Sequence, residues 1–217
     1  MNPNDDLSKQ SLMGMAVVAE FAVPDIEMHV QRVRGFAYRL ARGLNMGETE
    51  ANMLADACQL HDVGMVSVPV AIVRKATNLT NDEWDLIREH PEIGSDLLRR
   101  RPHELFKLAG SIALSHHERW DGSGYPLGLM KEDIPLEGRI CGLCDVFDTL
   151  THPRAYKRAL SPDEVLLLLQ ESSDSFFDPR LVEIFTLEFN EILAVREQFK
   201  SETPDLLERA RRSDARS

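Results

Sequence analysis

PDIEMHVQRVRGFAYRLARGL, residues 24–44, opens the helical part of this 217-residue chain. After Pro24 the apolar side chains fall at Ile26, Val30, Val33, Ala37, Leu40 and Leu44, steps of three and four that line one helix face. The same rhythm continues downstream. Thr49 to Val63 reads as a second helix, with Met53, Leu54, Ala57, Cys58 and His61 on one face and Gly64 as its stop. Thr80-Asn81-Asp82-Glu83 is a capping-box pattern, and the helix it opens should end at His90 because Pro91 disfavours helical geometry just before it. Further helices are expected at about 92–100, 103–117 and 136–150. Ser161-Pro162-Asp163-Glu164 supplies an N-cap with Pro at the first helical position, and Asp178-Pro179 opens a last core helix to about Lys200. Strand-type alternation is confined to Met65–Val70, too little for a sheet. The expected fold is an all-α, single-domain helical bundle over 25–200, preceded by a lead-in segment at 1–24 and followed by a charged tail at 201–217.

Composition narrows the function. Hydrophobic residues make up 43% of the chain, enough for a core, and aromatic residues only 6%, so Leu, Val, Ile, Ala and Met should build it. Twenty-five basic residues against 36 acidic give a net charge of −11, which argues against non-specific grip on a nucleic-acid polymer. A small anionic substrate stays open, because a bound cation inverts the sign of a pocket locally. No run of apolar residues is long enough for a membrane span. Three cysteines make no disulfide framework and fit a reducing cytoplasm, the expected location. The 24 residues ahead of Asp25 are too few for a receiver or sensor domain, so the input is expected from another chain or from the ligand.

Five histidines occupy suggestive positions. His29 shares its helix face with Val33 and Leu40, and Asp25 lies four residues earlier, so both can point inward. His61, His90 and the pair His116-His117 each fall at a helix end, where a side chain can reach a central site. Asp145 sits within the apolar face Cys141-Cys144-Asp145-Asp148, where an unpaired carboxylate is costly to bury. Any one of these alone is ordinary core packing; imidazoles and carboxylates at the inner ends of several helices are what a metal centre in a bundle requires. The donors are nitrogen and oxygen without thiolate, which suits Fe, Mn, Ni, Co or Zn, and Asp62 has the chemistry to bridge two ions that clamp both sides of a phosphoryl transfer. Cys141 and Cys144 lack the second CxxC of a zinc knuckle and read as core. Arg119–Pro135, with three glycines and two prolines, reads as a functional loop.

His61-Asp62 followed by Gly64, then His90-Pro91, then HHERWDGSGYP at 116–126, resembles the HD-GYP domain, a branch of the HD phosphohydrolases. Lys75, Leu79-Thr80, Glu83-Trp84, Ile134-Pro135, Asp145 to Leu150 and Phe177-Asp178-Pro179 match the same pattern, over about 25–190. The resemblance implies a helical bundle with two or three metal ions, often iron or manganese, that hydrolyses cyclic di-GMP. By position, His29, His61, Asp62 and Asp145 would hold the first ion, and Asp62, His90 and His116 the second. Where a third exists, Asp25 and His117 would help hold it, although Asp25 is one methylene shorter than the family's Glu. Asp62 and Asp145 thus become the candidate catalytic carboxylates. Arg154 and Lys157, nine and twelve residues after Asp145, match basic residues that hold the substrate phosphates, a task for which a guanidinium offers a bidentate donor.

One position departs from the pattern. The family reads HDxGK, and this chain reads His61-Asp62-Val63-Gly64-Met65. Losing a preorganised cation near the scissile phosphate costs on the order of 2–4 kcal/mol in the transition state. The first expectation is therefore a slow phosphodiesterase opening cyclic di-GMP to pGpG and GMP. The alternative is a regulatory module that binds a cyclic dinucleotide, or a diguanylate cyclase domain through loop 119–135. A third reading is an HD phosphohydrolase for another nucleotide. A homodimer is the assembly considered.

Overall fold

The computed structural model describes residues 14–19, 25–75, 77–152 and 159–200. Helix α1 (Ile26–Gly43) follows the stripe read from the sequence, with Val30, Val33, Phe36, Ala37 and Leu40 fully buried. Downstream come α2 (Glu48–Cys58), a 3-10 turn (Val63–Ser67), α3 (Val70–Val73), α4 (Asn81–Arg88), α5 (His90–Arg99) and α6 (Glu104–Ser115). A second 3-10 turn (Lys131–Asp133) precedes α7 (Leu136–Thr151), α8 (Pro162–Glu171), α9 (Pro179–Leu187) and α10 (Phe189–Gln198). Helix α1 packs against α2, α7, α9 and α10, while α6 packs against α2, α5 and α7. No strand occurs among the described residues, only an isolated bridge between Ser173 and Phe177. The molecule is all-α, as its hydrophobic spacing requires. Among the described residues no helix is long and apolar enough to cross a membrane.

The caps form as their residue types dictate. Thr80 accepts from the Glu83 backbone while the Glu83 carboxylate accepts from the Thr80 backbone, and Ser161 and Glu164 do the same for α8. The core is largely Leu, Ile, Val and Ala, but its centre also holds a ring cluster. Phe147 meets Phe36 edge-on at 5.4 Å and Phe185 at 4.9 Å between centroids, and all three are fully buried. Few aromatics suffice when they are stacked in one place.

Two helices end earlier than their periodicity predicts. The helix read as Thr49–Val63 stops at Cys58, where Leu60, His61 and Val63 instead donate to carbonyls three residues back. Met53, read onto the inner face, lies 37% exposed. Gly64 serves a close approach as well as a stop: a Cβ there would lie 2.0 Å from the His90 carbonyl oxygen. The Met65–Val70 alternation falls in this tight turn and the start of α3. The single last helix is broken at Glu188 into α9 and α10.

Candidate metal centre

Each candidate ligand is delivered by a helix or by the turn at its end. His29 sits in the first turn of α1, and Asp145 in the third turn of α7. His61 and Asp62 follow the end of α2, His90 begins α5, and His116 caps α6 with His117 next in line. Glycines set the distances between these segments. Gly64 lets the turn after Asp62 rest on the backbone of His90, and Gly142 lets α7 rest on His116, whose carbonyl oxygen would lie 2.4 Å from an added Cβ.

Seven side chains gather into two neighbouring groups. One comprises Asp62, His90, His116 and His117, the other His29, His61 and Asp145, each with ligand atoms within 4.8 Å of one another. Asp62 faces both. Its Oδ1 lies 3.0 Å from His90 Nε2 and 3.2 Å from His116 Nε2, and its Oδ2 lies 3.4 Å from His61 Nε2. Asp145 Oδ1 is 3.6 Å from His29 Nε2 and 3.8 Å from His61 Nε2.

The rings present the nitrogen a metal uses. His61 Nδ1 donates to the Cys58 carbonyl at 2.9 Å, His90 Nδ1 to Ile87 at 2.6 Å, and His116 Nδ1 to Ala113 at 3.0 Å. With its proton on Nδ1, each neutral ring turns the Nε2 lone pair inward. His90 Nε2 is buried at 3.0 Å from Asp62 Oδ1 without a hydrogen bond, the relation of two donors facing a shared cation. Two ligand atoms about 2.1 Å from an ion, at octahedral or tetrahedral angles, stand about 3.0–3.4 Å apart. The residues present fit divalent metal.

Electrostatics agree with that donor set. Burial works to raise the Asp62 carboxyl, but the neighbouring imidazoles of His61, His90 and His116 outweigh it and hold it well below the usual carboxylate range. Burial pushes His116 down, and burial with the neighbouring His116 pushes His117 well down, so both favour the neutral, ligating form. His90 is raised, its burial overcome by Asp62.

The glycine-rich loop closes over this centre. Buried Glu118 accepts from the backbone of Leu127 at 2.7 Å and Leu129 at 3.0 Å, folding the loop around one carboxylate. Tyr125 then stacks on His117 with centroids 4.7 Å apart, and burial raises its hydroxyl. Trp120 is buried, its Nε1 donating to Asp174. A cavity of about 370 Å³ adjoins, lined by His116, His117, Arg119, Tyr125, Arg139 and Val146 among others.

Of the eight residues read from the sequence as ligands, these groups contain seven. The eighth, Asp25, belongs to neither group, and its Oδ2 accepts from Arg32 at 3.0 Å. Arg154 and Lys157 lie outside the described residues. Met65 is half-buried in the 3-10 turn immediately after the His61-Asp62 pair. Two polar residues escaped the sequence reading altogether as parts of the site: Asp148, which accepts from His29 Nδ1 at 2.8 Å, and Arg32, which donates to Asp148 at 2.6 Å. Both are about 1% exposed. Burial works to raise the Asp148 carboxyl, but the bond from His29 and the Arg32 guanidinium hold it down at about 2. Their signal was spacing, since each stands three residues after a ligand on the same helix.

Comparison with known proteins places this geometry. The HD-domain family model matches residues 15–181. The 3'3'-cGAMP-specific phosphodiesterase 2 of Vibrio cholerae is 38% identical over 88% of this chain, which spans 37% of that protein. The cyclic di-GMP phosphodiesterase response regulator RpfG of Xanthomonas campestris is 37% identical over 84% of this chain and 48% of its own length. The chain thus spans half or less of these relatives. The crystal structure of a cyclic GMP-AMP-specific phosphodiesterase of V. cholerae superposes with a TM-score of 0.65 at 20% identity, over 89% of this chain and 51% of that one, a likeness of fold. With a matching family model over most of its length and the HHExxDGxGYP string at 116–126, the chain belongs to the HD-domain family and carries its HD-GYP signature.

Proposed function

We propose that this chain is a metal-dependent phosphodiesterase that opens cyclic di-GMP to linear pGpG and onward to GMP. The observation that carries the reading is the pair of ligand groups meeting at one carboxylate, Asp62. His29, His61 and Asp145 would hold one divalent ion and His90, His116 and His117 a second, with Asp62 available to both. Iron or manganese suits these nitrogen and oxygen donors. The engagement of Asp25 by Arg32 supports two ions rather than three. When bound, such a pair supplies positive charge to the phosphodiester and lowers the pKa of the attacking water.

The protein's own groups do the positioning. The backbone carbonyls of Cys58, Ile87 and Ala113 fix three imidazoles by their Nδ1 protons, so the ligand atoms need no reorganisation on binding. Asp62 and Asp145 contribute the carboxylate charge, and Tyr125 covers His117 on the loop side. Arg154 and Lys157 are assigned to the substrate phosphates on their spacing from Asp145. Met65 offers no charge where the family has an ammonium group, so turnover is slow. The catalytic domain spans 25–200, its setting the cytoplasm.

The names of the relatives support a cyclic dinucleotide and differ over which, so the test compares two. Protein reconstituted anaerobically with Fe or Mn should bind two equivalents and hydrolyse cyclic di-GMP faster than 3'3'-cGAMP. Absence of metal uptake, or preference for the second substrate, would refute the corresponding part. A second reading, a binding module for a diguanylate cyclase domain, is favoured by Met65 and by the exposed Leu127 and Met130 on the loop. Two bound metals with no turnover, together with capture of a cyclase domain, would establish it instead.

A further inference from the structure

We infer that the buried Arg32–Asp148 pair positions His29, and that it makes metal binding in the His29–His61–Asp145 half depend on a carboxylate that the other half lacks. This inference rests on the metal reading above and deepens it. His29 is held differently from the other imidazoles of the centre. His61, His90 and His116 each donate through Nδ1 to a backbone carbonyl, at 2.9, 2.6 and 3.0 Å. His29 alone among these four donates to a side-chain carboxylate, Asp148 Oδ2, at 2.8 Å. A carboxylate partner fixes the tautomer as a carbonyl does, and it also raises the basicity of the ligating nitrogen.

Asp148 cannot do this unsupported, because a buried carboxylate needs a compensating charge. Arg32 supplies it from one turn along α1. Its Nε donates to Asp148 Oδ1 at 2.6 Å, and one terminal nitrogen donates to Asp148 Oδ2 at 3.0 Å, a bidentate fork. The guanidinium is anchored on two further sides, to Asp25 Oδ2 at 3.0 Å and to the Phe199 carbonyl at 3.0 Å. The His152 ring adds a contact at 3.4 Å from Asp148 Oδ1 and also donates to the Asp148 carbonyl at 2.9 Å. The carboxylate therefore has one position, and His29 Nε2 one direction, toward Asp145 at 3.6 Å. Arg32 and Asp148 touch no ion and no substrate. They are positioning residues.

The test strips the full chain of metal, titrates it anaerobically with Mn(II), and follows uptake by calorimetry and electron paramagnetic resonance. Wild type should take two ions and show the spectrum of a coupled pair. Asp148→Asn should bind one ion at wild-type strength and the second tenfold to a hundredfold more weakly, leaving the spectrum of an isolated ion at limiting metal. Asp148→Asn alone leaves Arg32 buried without its partner, so the double variant R32Q/D148N keeps the fold falsifiable: an amide pair can still accept from His29 without the charge. It should melt near the wild-type apo temperature and show the same selective loss. Should neither fold, Arg32→Lys, which keeps the charge but not the fork, should weaken the same ion severalfold. A folded variant that binds both ions with wild-type constants would overturn the inference while leaving the metal reading intact. A wild-type chain that takes up no manganese would remove both.

Discussion

Replacing Gly64 by Ala should empty half of the metal centre without touching a ligand. The added Cβ would lie 2.0 Å from the His90 carbonyl oxygen, 2.7 Å from the Gly94 nitrogen and 2.9 Å from the His90 carbonyl carbon. All three are backbone atoms, so no side-chain rotation relieves the clash. Real Cβ contacts essentially never fall below 3.0 Å, so the start of α5 must withdraw by about 1 Å, the difference between 3.0 and 2.0 Å. His90 is the first residue of that helix, and its Nε2 now stands 3.0 Å from Asp62 Oδ1. Metal–ligand distances tolerate only about 0.2 Å, so a displacement of this size breaks the ligand set around His90.

Overpacking of this kind costs about 1–3 kcal/mol of stability, so the variant should still fold at room temperature. Metal analysis of the folded protein should show about one equivalent lost from the Asp62–His90–His116–His117 group. Turnover of cyclic di-GMP should fall about a hundredfold, a loss that a 1 Å misplacement can cause. A folded Gly64→Ala protein with two equivalents of metal and turnover within about threefold of wild type would refute the reasoning. It would mean that α5 absorbs the methyl by moving as a body without moving the His90 ring.

Four further outcomes are expected. Met65→Lys should raise turnover about tenfold or more with little change in metal content, because an ammonium group at the turn after Asp62 acts mainly on transition-state charge; an unchanged rate in an active enzyme would show that the charge comes from elsewhere. Asp62→Ala should cost more metal than His117→Ala by elemental analysis, since the Asp62 carboxylate lies within 3.4 Å of imidazoles of both groups; equal losses would contradict a bridging role. Arg154→Ala should weaken binding or turnover of cyclic di-GMP at constant metal content, and Arg154→Lys should restore only part of it; unaltered affinity and rate would place the phosphate clamp elsewhere. Phe147→Ala, which removes the centre of the ring cluster, should lower stability by about 3–5 kcal/mol in denaturant titration; a loss under about 1 kcal/mol would show that the cluster collapses around the gap.

The helices were legible wherever a local rule sufficed. The α1 stripe and the two capping boxes each depend on residues within one or two turns, and all of them form. The end expected at His90 does not hold: α4 stops at Arg88, and His90-Pro91 open α5, where a proline in the first turn is tolerated. What misled was periodicity carried across a tertiary constraint. His61 keeps the apolar rhythm of α2, yet the chain leaves the helix at Cys58 so that the following turn can rest on His90. The break at Glu188 has the same character, since nothing between Asp178 and Lys200 announces a stop.

The metal centre divides along the same line. Its histidines could be picked out because each lies in the first turn of a helix or within three residues of a helix end. The outer support could not, because the cost of burying a carboxylate on α7 is visible in the sequence while the identity of its partner is not. The face Cys141-Cys144-Asp145-Asp148 shows that two carboxylates sit among core positions and must be compensated. Nothing in that face says that the compensation for Asp148 comes from Arg32, 116 residues away, or that His29 shares it. Arg32 in turn reads as a charged residue beside Val33 on an apolar stripe, a position where a long cation is usually taken to reach for solvent. It points inward because Asp148 and Asp25 meet it there. A buried charge pair is thus two anomalies in the sequence and one explanation in the fold, and pairing such anomalies across distant helices is the step that local reading lacks.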